Sequence, residues 1–320
     1  MKTELAIDVS RLRKSFSGKT ALDGIDLSVP MGSVFALLGP NGAGKSTLVA
    51  ILTTLLRADG GTATVGGFDV GRQAAAVRNL LSVTSQASAV DEFLTGRENL
   101  TMIGRLHLLG GAKAGSRADE LLRDFDLHGA ADRKVSTYSG GMVRRLDLAM
   151  SLVRRPEVLF LDEPTTGLDP RSRLAVWNAV RGLSQRGVTV FLTTQYLEEA
   201  DQLADSIAVL NDGRIMAQGT ADELKRLVPA GHVEFGFQDP HEFGKALSLI
   251  RIEDGDGGHA FTRDDELLTL RVATTDSAAV ITTVVSSLNA AGCNASSIAI
   301  TKPTLDDVFL ALTAKQEAKR

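Results

Sequence analysis

Nine consecutive residues combine glycines, a lysine and hydroxyl groups at a spacing that suits phosphate binding. They read Gly39-Pro40-Asn41-Gly42-Ala43-Gly44-Lys45-Ser46-Thr47 and fit the pattern G-x-x-x-x-G-K-[ST]. The glycines let the backbone curl so that its N–H groups point inward, and the start of the following helix adds positive potential. An apolar strand before the loop and a helical pattern after it make a chance glycine-rich turn a poor explanation. We therefore predict that Lys45 reaches the β- and γ-phosphates of a nucleotide and that Ser46 ligates Mg²⁺.

Two acidic residues follow a second short apolar run. Residues 158–161 are Val-Leu-Phe-Leu, and Asp162 and Glu163 come directly after them. An acid pair in this position is usually a solvated strand end. In a chain that also carries a phosphate loop, it favours catalysis, because Mg²⁺ prefers oxygen ligands and a carboxylate can activate water. We predict that Asp162 holds the metal and that Glu163 is the general base for the attacking water.

A second anion site is predicted at Ser139-Gly140-Gly141-Met142, which follows Tyr138 and begins a helical run. A serine and two glycines at a helix start present N–H groups and a hydroxyl to an anion. Taken alone, the segment is better explained as an ordinary capped helix after a turn. A protein with one phosphate loop and a separate anion site can join the two across a two-fold dimer.

In this order along the chain, over residues 5 to 225 or so, these motifs resemble those of the ATP-binding cassette (ABC) family, whose signature is usually Leu-Ser-Gly-Gly-Gln. The resemblance implies that Phe16, just before Gly18, stacks on adenine, although a lone phenylalanine is more often part of a core. It implies that Gln86 is the Q-loop glutamine, which contacts metal and water and faces the membrane partner. Asp169, in Gly167-Leu168-Asp169, matches the D-loop that crosses the dimer.

The predicted site residues fall into three groups, in which some residues appear twice. Those expected to act in catalysis are Lys45, Gln86, Glu163 and Gln195, and those expected to hold the metal are Ser46, Gln86 and Asp162. Those expected to bind ATP are Phe16, Gly39, Pro40, Asn41, Gly42, Ala43, Gly44, Lys45, Ser46, Thr47, Ser139, Gly140, Gly141, Met142 and Asp169.

Two positions depart from the family pattern. Met142 stands where the signature usually has glutamine, and it cannot donate a hydrogen bond. Gln195 follows the apolar run 190–192 and two threonines, where the family usually has a switch histidine. A glutamine amide can still donate to a γ-phosphate oxygen, but it does not titrate near neutral pH. We expect Gln195 to sense the γ-phosphate without shuttling a proton.

Three further segments, residues 90–100, 193–201 and 303–310, resemble the daunorubicin-resistance type of ATP-binding subunit. That resemblance implies a homodimer that binds two ATP and drives a separate membrane permease, for export of a drug-like or hydrophobic substrate. It also implies a peripheral location on the cytoplasmic face of the membrane. The alternatives left open are an importer subunit, a soluble ABC ATPase without a transport role, and a binding module that does not hydrolyse ATP.

Composition excludes several other classes of protein. The chain of 320 residues has 35 basic and 39 acidic residues, a net charge of −4 and only 5% aromatic residues, which argues against nucleic acid as a partner. The single Cys293 cannot form an internal disulfide, which suits a reducing cytosol. The first residues lack the apolar stretch of a signal peptide, and no run of about 18 apolar residues predicts a membrane span.

Short buried strands alternate with helical patterns, so we predict an α/β fold of the P-loop NTPase type. Its core is a mainly parallel sheet that includes strands 34–38, 158–161 and 188–193, with an antiparallel subdomain and a helical insertion containing helices 98–109 and 118–125. Asn211-Asp212-Gly213 predicts a hairpin. The predicted helix after the phosphate loop spans 48–56.

Composition shifts near residues 229–231, where we place a domain boundary. Residues 1–228 are predicted to form the nucleotide-binding domain, with a helical subdomain at about 88–152. Residues 229–320 are predicted to form an accessory or regulatory α+β domain. Its strand and helix patterns follow the order β-α-β-β-α-β, which is the split-βαβ arrangement of ferredoxin-like folds. Thr304 is expected to cap the last helix, with Asp307 at the third helical position.

Overall fold

The computed structural model describes residues 4–84, 89–228, 231–253, 261–273, 277–290, 292–301 and 303–317. The contacts divide the chain into two units, residues 1–221 and 222–320. The division falls in a short helix, α8 (Ala221–Lys225), a few residues before the composition shift at 229–231.

The first unit contains two sheets and the helices that surround them. Its strands are β1 (Leu5–Phe16), β2 (Lys19–Pro30), β3 (Val34–Leu38), β4 (Gly60–Val65), β5 (Phe68–Asp69), β6 (Leu81–Thr84), β7 (Val158–Asp162), β8 (Thr189–Thr194), β9 (Ser206–Asn211) and β10 (Arg214–Gly219). Its helices before α8 are α1 (Lys45–Leu52), α2 (Ala74–Leu80), α3 (Gly96–Leu106), α4 (Gly111–Asp124), α5 (Gly140–Ser151), α6 (Pro170–Gln185) and α7 (Leu197–Leu203).

The six-stranded sheet has the order β10-β9-β3-β8-β7-β6, and all its pairs except β9 with β10 are parallel. The apolar residues of β3, β7 and β8 are all buried, as expected for strands covered on both faces. Phe35, Phe160 and Phe191 lie in register on these three strands, with ring centroids 5.2 and 5.3 Å apart. Because the three strands are parallel and paired in register, the segments that follow them meet at one edge of the sheet.

The predicted antiparallel subdomain is present as the sheet β2-β1-β4-β5. The predicted hairpin is also confirmed. Asp212 and Gly213 join β9 to β10 with φ values of +46° and +73°, the left-handed pair that a type I′ turn requires.

Helices α3, α4 and α5 form the predicted helical insertion, but α3 spans Gly96–Leu106 and not 98–109, because the capping box at Thr95 sets its start and the chain leaves the helix at His107. Helix α4 begins at Gly111, not at residue 118, because tertiary packing keeps its glycine-containing first turns helical although glycine is a weak helix former. Helix α1 begins three residues earlier than predicted, at Lys45, and ends at Leu52. The N-terminus of α3 has a full capping box between Thr95 and Glu98.

The second unit confirms the predicted order of elements. It consists of β11 (His232–Gly236), α9 (Pro240–Glu253), β12 (Phe261–Asp264), β13 (Thr269–Ala273), α10 (Ser277–Ala290), β14 (Ser297–Thr301) and α11 (Leu305–Glu317). The sheet order is β12-β13-β11-β14 with every pair antiparallel, as in a ferredoxin-like fold. Thr304 and Asp307 cap α11 reciprocally, as expected. Throughout the described residues, helices fall short of the length and apolar character that crossing a bilayer needs.

Candidate active site

The phosphate loop connects β3 to α1, and its glycines are imposed by its surroundings. A Cβ on Gly39 would lie 2.3 Å from the carbonyl oxygen of Leu210, and one on Gly44 would lie 2.7 Å from that of Ala21. Gly42 and Gly44 also have φ values of +81° and +110°, which favour glycine. Backbone packing at Gly39 and Gly44 and the positive φ of Gly42 and Gly44 thus favour glycine at these positions, in a loop of the kind that binds anions.

Lys45, the first residue of α1, is 5% exposed. Its ammonium donates to the carbonyl oxygens of Gly39 (2.7 Å) and Pro40 (3.2 Å) and lies 3.6 Å from Glu163 Oε1. Burial lowers the pKa of Lys45, and the negative charges of Glu163 and Asp162 act in the opposite direction. The structure thus places the positive charge of Lys45 between the phosphate loop and the carboxylate of Glu163.

The acid pair lies beside the phosphate loop because β7 and β3 both neighbour β8. The Thr193 hydroxyl donates to Asp162 Oδ1 and so orients this carboxylate. The N–H of Glu163 donates to Thr193 at both the carbonyl oxygen (3.1 Å) and the hydroxyl (3.2 Å), and the Thr166 hydroxyl donates to Glu163 Oε2 (3.3 Å). No local sequence pattern points to Thr193. Only the parallel register, in which Asp162 lies opposite Thr193, identifies it.

Glu163 has a left-handed backbone, with φ of +46°. Residues other than glycine rarely adopt this conformation, and it costs roughly 1–2 kcal/mol. Strain of this kind persists only where the surrounding structure enforces it, and it is concentrated at functional sites. The strained residue here is the one with a carboxylate beside the phosphate-loop lysine.

Oxygen donors suited to a hard cation are present. Ser46 is exposed as the second residue of α1, and Asp162 is partly exposed at the end of β7. Hydroxyl and carboxylate oxygens of this kind fit Mg²⁺, which usually keeps further ligands from phosphate and water. Gln86, the third predicted metal ligand, lies outside the described residues.

The segment Ser139–Met142 starts α5. Ser139 is the N-cap, and its Oγ accepts from the N–H of Met142 at 3.3 Å. Gly140 is exposed, whereas Gly141 is buried and a Cβ there would lie 2.2 Å from Ser172 Oγ and 2.6 Å from Ser172 Cβ. One glycine is thus free at the surface, and the other permits close packing between helices.

Asp169 caps α6 and lies near that contact. Its carboxylate accepts from the N–H of Ser172 (3.0 Å) and from the Ser172 hydroxyl (2.6 Å), and these bonds lower the pKa of Asp169. Ser172 was not identified from the sequence, although Asp169-Pro170 followed by serine at the third helical position is a capping pattern. The structure therefore brings the predicted D-loop and signature segments together through one serine.

The last two predicted contacts lie on separate elements. Gln195 is partly buried directly after β8, and the carbonyl of the preceding Thr194 accepts from the N–H of Gly39 at 3.2 Å, which joins this strand end to the phosphate loop. Phe16 ends β1 with 47% of its surface exposed, so it is not a core residue. The Lys14 ammonium lies 5.4 Å from the Phe16 ring centroid.

Comparison with known proteins agrees with the family that the sequence motifs resemble. Residues 22–166 match the family model described as ABC transporter. The chain is 50% identical over 310 residues to daunorubicin resistance ATP-binding protein DrrA3 of Streptomyces coeruleorubidus, covering 97% of this chain and 96% of that one. It is 43% identical to doxorubicin resistance ATP-binding protein DrrA of Mycobacterium tuberculosis, covering 97% and 94%.

The fold is also similar to that of a solved structure. The ADP conformation of an ATP-binding cassette of an ABC transporter matches 69% of this chain and 93% of that chain, with a TM-score of 0.63 and 27% identity.

Proposed function

The chain belongs to the ATP-binding subunits of ABC transporters, which are ATPases, and on this basis we propose that it drives export of a drug-like or hydrophobic substrate through a separate membrane permease. The observation that carries the proposal is the meeting of Lys45, Asp162 and Glu163 at one edge of the parallel sheet, with Glu163 Oε1 3.6 Å from the lysine ammonium. The names of the relatives, which refer to resistance to daunorubicin and doxorubicin, support the exporter reading.

In this proposal, the phosphate loop binds the β- and γ-phosphates, and Lys45 donates to them in place of the carbonyls of Gly39 and Pro40. Phe16 stacks on the adenine. Ser46, Asp162 and Gln86 would hold Mg²⁺, which would neutralise charge on the phosphates when bound. Glu163, released from its contact with Lys45, accepts the proton of the attacking water or orients it. Gln195 donates its amide to the γ-phosphate.

The signature segment completes the site from a second copy of the chain. Ser139 and Gly140 are exposed at a helix start, so they can reach the γ-phosphate bound in a partner, and Asp169 lies beside them. Two ATP molecules are then held at one two-fold interface, and its closing and reopening drives the permease. The segment around 86–98 is the proposed contact with that permease, and the proposed location of the subunit is the cytoplasmic face of the membrane.

The test is the variant Glu163→Gln in purified protein, compared with Glu120→Gln. Glutamine keeps the size of the side chain but cannot accept a proton, so turnover should fall by about 10²- to 10⁴-fold. ATP affinity should remain, and ATP with Mg²⁺ should convert the variant to a dimer on size-exclusion chromatography. Glu120, on α4, forms ion pairs with Arg117 of the same helix and with Arg155, and its variant should keep wild-type turnover.

Unchanged hydrolysis in Glu163→Gln would remove Glu163 from the role of base. An ATP-bound variant that stays monomeric would contradict the two-copy site. For the exporter reading, the subunit is co-expressed with a candidate permease and tested for efflux of daunorubicin. Uptake in place of efflux would favour the importer alternative.

A further inference from the structure

An arginine on α5 is buried among backbone carbonyls next to the candidate base. Arg144 is 9% exposed. Its Nε donates to the carbonyl oxygen of Pro164 at 2.8 Å, and its Nη2 donates to that of Asp162 at 3.4 Å. One guanidinium therefore contacts the carbonyls on both sides of Glu163.

This contact matters because the backbone of Glu163 is strained. Its φ of +46° is not a conformation that the chain would keep unaided. Thr193 fixes the N–H of Glu163 from the side of the sheet, and Arg144 fixes the two flanking carbonyls from the side of α5. The guanidinium is rigid and planar, which suits it to hold two acceptors at once.

Asp147 continues the link on the same helix. It is 5% exposed, and its Oδ2 accepts from Arg144 Nη1 at 3.0 Å. Its other oxygen accepts from the N–H of Ala89 at 3.3 Å. Asp91, two residues after Ala89, is bonded to Asn99 of α3, which is fully buried. The N–H of Asp91 donates to Asn99 Oδ1 at 2.9 Å, and Asn99 Nδ2 donates to the carbonyl oxygen of Asp91 at 2.9 Å. The buried pair thus connects segment 89–91 to segment 162–164.

Arg144 also lies near three carboxylates, of which Asp147 and Glu199 are buried and Asp162 is partly exposed. Asp147, Glu199 and Asp162 all act electrostatically on it. Glu199 is fully buried, and its Oε1 accepts from the Thr165 hydroxyl (2.7 Å) and the Trp177 indole (3.1 Å). Within the described residues, its Oε2 has no hydrogen-bond partner. Loss of the arginine charge would leave these carboxylates uncompensated, so a test must retain that charge.

We propose that Arg144 is a positioning residue for hydrolysis: it holds the carbonyls on both sides of Glu163, and through Asp147 it couples this conformation to segment 89–91. The inference rests on the proposed role of Glu163 as base. It also gives segment 89–91, which follows Gln86, a physical route to the catalytic carboxylate. The alternative is that Arg144 and Asp147 form an ion pair with a structural role only. A substitution that keeps the positive charge should lower turnover if Arg144 positions Glu163, and should leave turnover unchanged if the role is only structural.

The experiment uses the full chain with Arg144→Lys, Glu163→Gln, the two combined, and Arg145→Lys as the matched control. Arg145 is the next residue on α5, and it donates to the carbonyl of Phe125, away from Glu163. Lysine keeps the positive charge at position 144 but lacks the planar guanidinium that donates to both carbonyls at once. We expect kcat to fall at least tenfold in Arg144→Lys, with the Kd for ATP within threefold and little change in Tm. Arg145→Lys should keep kcat within twofold.

Because Arg144 acts through Glu163, adding Arg144→Lys to Glu163→Gln should cause little further loss of kcat. A wild-type kcat in Arg144→Lys, or a full additional loss in the double variant, would overturn the inference. If Arg144→Lys does not fold, Asp147→Asn takes its place, because an amide keeps one of the two links of Asp147. It should lower kcat about threefold or more with ATP affinity unchanged, and an unchanged kcat would again overturn the inference.

The two proposals fail in different ways. A wild-type chain without ATPase activity, or an active Glu163→Gln variant, removes the proposed role of Glu163 and this inference with it. An active wild type, an inactive Glu163→Gln and a normal Arg144→Lys remove this inference alone.

Discussion

The phosphate loop and the segment Ser139–Met142 are both glycine-containing turns that lead into helices, yet they are built differently. The loop is packed against backbone carbonyls, and Lys45 is buried within it. The other segment has an exposed Gly140, and its N-cap hydroxyl is already bonded to its own helix. The two arginines that follow it on α5, Arg144 and Arg145, donate to backbone carbonyls.

This difference suggests separate roles for the two segments: the phosphate loop binds the nucleotide, and the segment Ser139–Met142 completes the site around a nucleotide that is already bound. A loop that carries its own cation can hold phosphate in a single copy of the chain. A helix start that offers only N–H groups and a hydroxyl attracts an anion weakly, so it contributes when another loop has already positioned the nucleotide. Binding should therefore depend on residues 39–47 and turnover on both segments, and each variant below tests one side of that division.

Among the variants that compare the two segments, the largest effect is expected for Lys45→Ala compared with Ser139→Ala. Loss of the charged donor should weaken ATP binding by about 10- to 100-fold, since hydrogen bonds to charged groups contribute about 1.5–3 kcal/mol. Ser139→Ala should change the Kd of ATP by less than about threefold and lower kcat instead. Titration with a fluorescent ATP analogue and a steady-state ATPase assay measure the two quantities. Equal losses of affinity in the two variants would contradict the division of roles.

An intermediate effect is expected for the two adjacent signature glycines. Gly141→Ala places a Cβ 2.6 Å from Ser172 Cβ and should lower the free energy of unfolding by about 1–3 kcal/mol. Gly140→Ala meets only Leu168 Cδ2, at 3.9 Å, and should leave stability within about 0.5 kcal/mol. Urea denaturation of both variants makes the comparison. If Gly140→Ala retains stability but loses turnover, the exposed glycine acts in the assembled site. Equal stability of the two variants would refute the packing argument.

The smallest effect is expected for the pH dependence at position 195. Gln195 does not titrate, so kcat of the wild type should show no inflection near pH 6.5 that depends on this residue. In Gln195→His the imidazole gains a proton as pH falls through about 6.5, so a new inflection should appear in the rate profile. Gln195→Ala is the control for loss of the side chain. A wild-type inflection near pH 6.5 that disappears in Gln195→Ala would show that our assignment is wrong.

The parts of the fold that could be predicted from the sequence are those set by local patterns. Buried apolar runs predicted β3, β7 and β8 to within about one residue, and Asp212-Gly213 predicted the hairpin. The weaker periodicity of the second unit still predicted its order of elements. Helix α4 was predicted seven residues short at its start, because Gly110, Gly111 and Gly115 oppose helix locally and tertiary packing outweighs them.

The sequence by itself determined which chemistry is present, because a phosphate loop, an acid pair after a strand and a glycine-rich helix start are contiguous patterns. It did not reveal three contacts. Thr193 hydrogen-bonds to both Asp162 and Glu163, Ser172 packs against Gly141, and Arg144 donates to the carbonyls of Asp162 and Pro164, on either side of Glu163. These contacts join residues far apart in the chain, and they exist only once strand register and helix packing are set. The left-handed backbone of Glu163 belongs with them, since strain is a property that surrounding elements enforce and that no local pattern encodes.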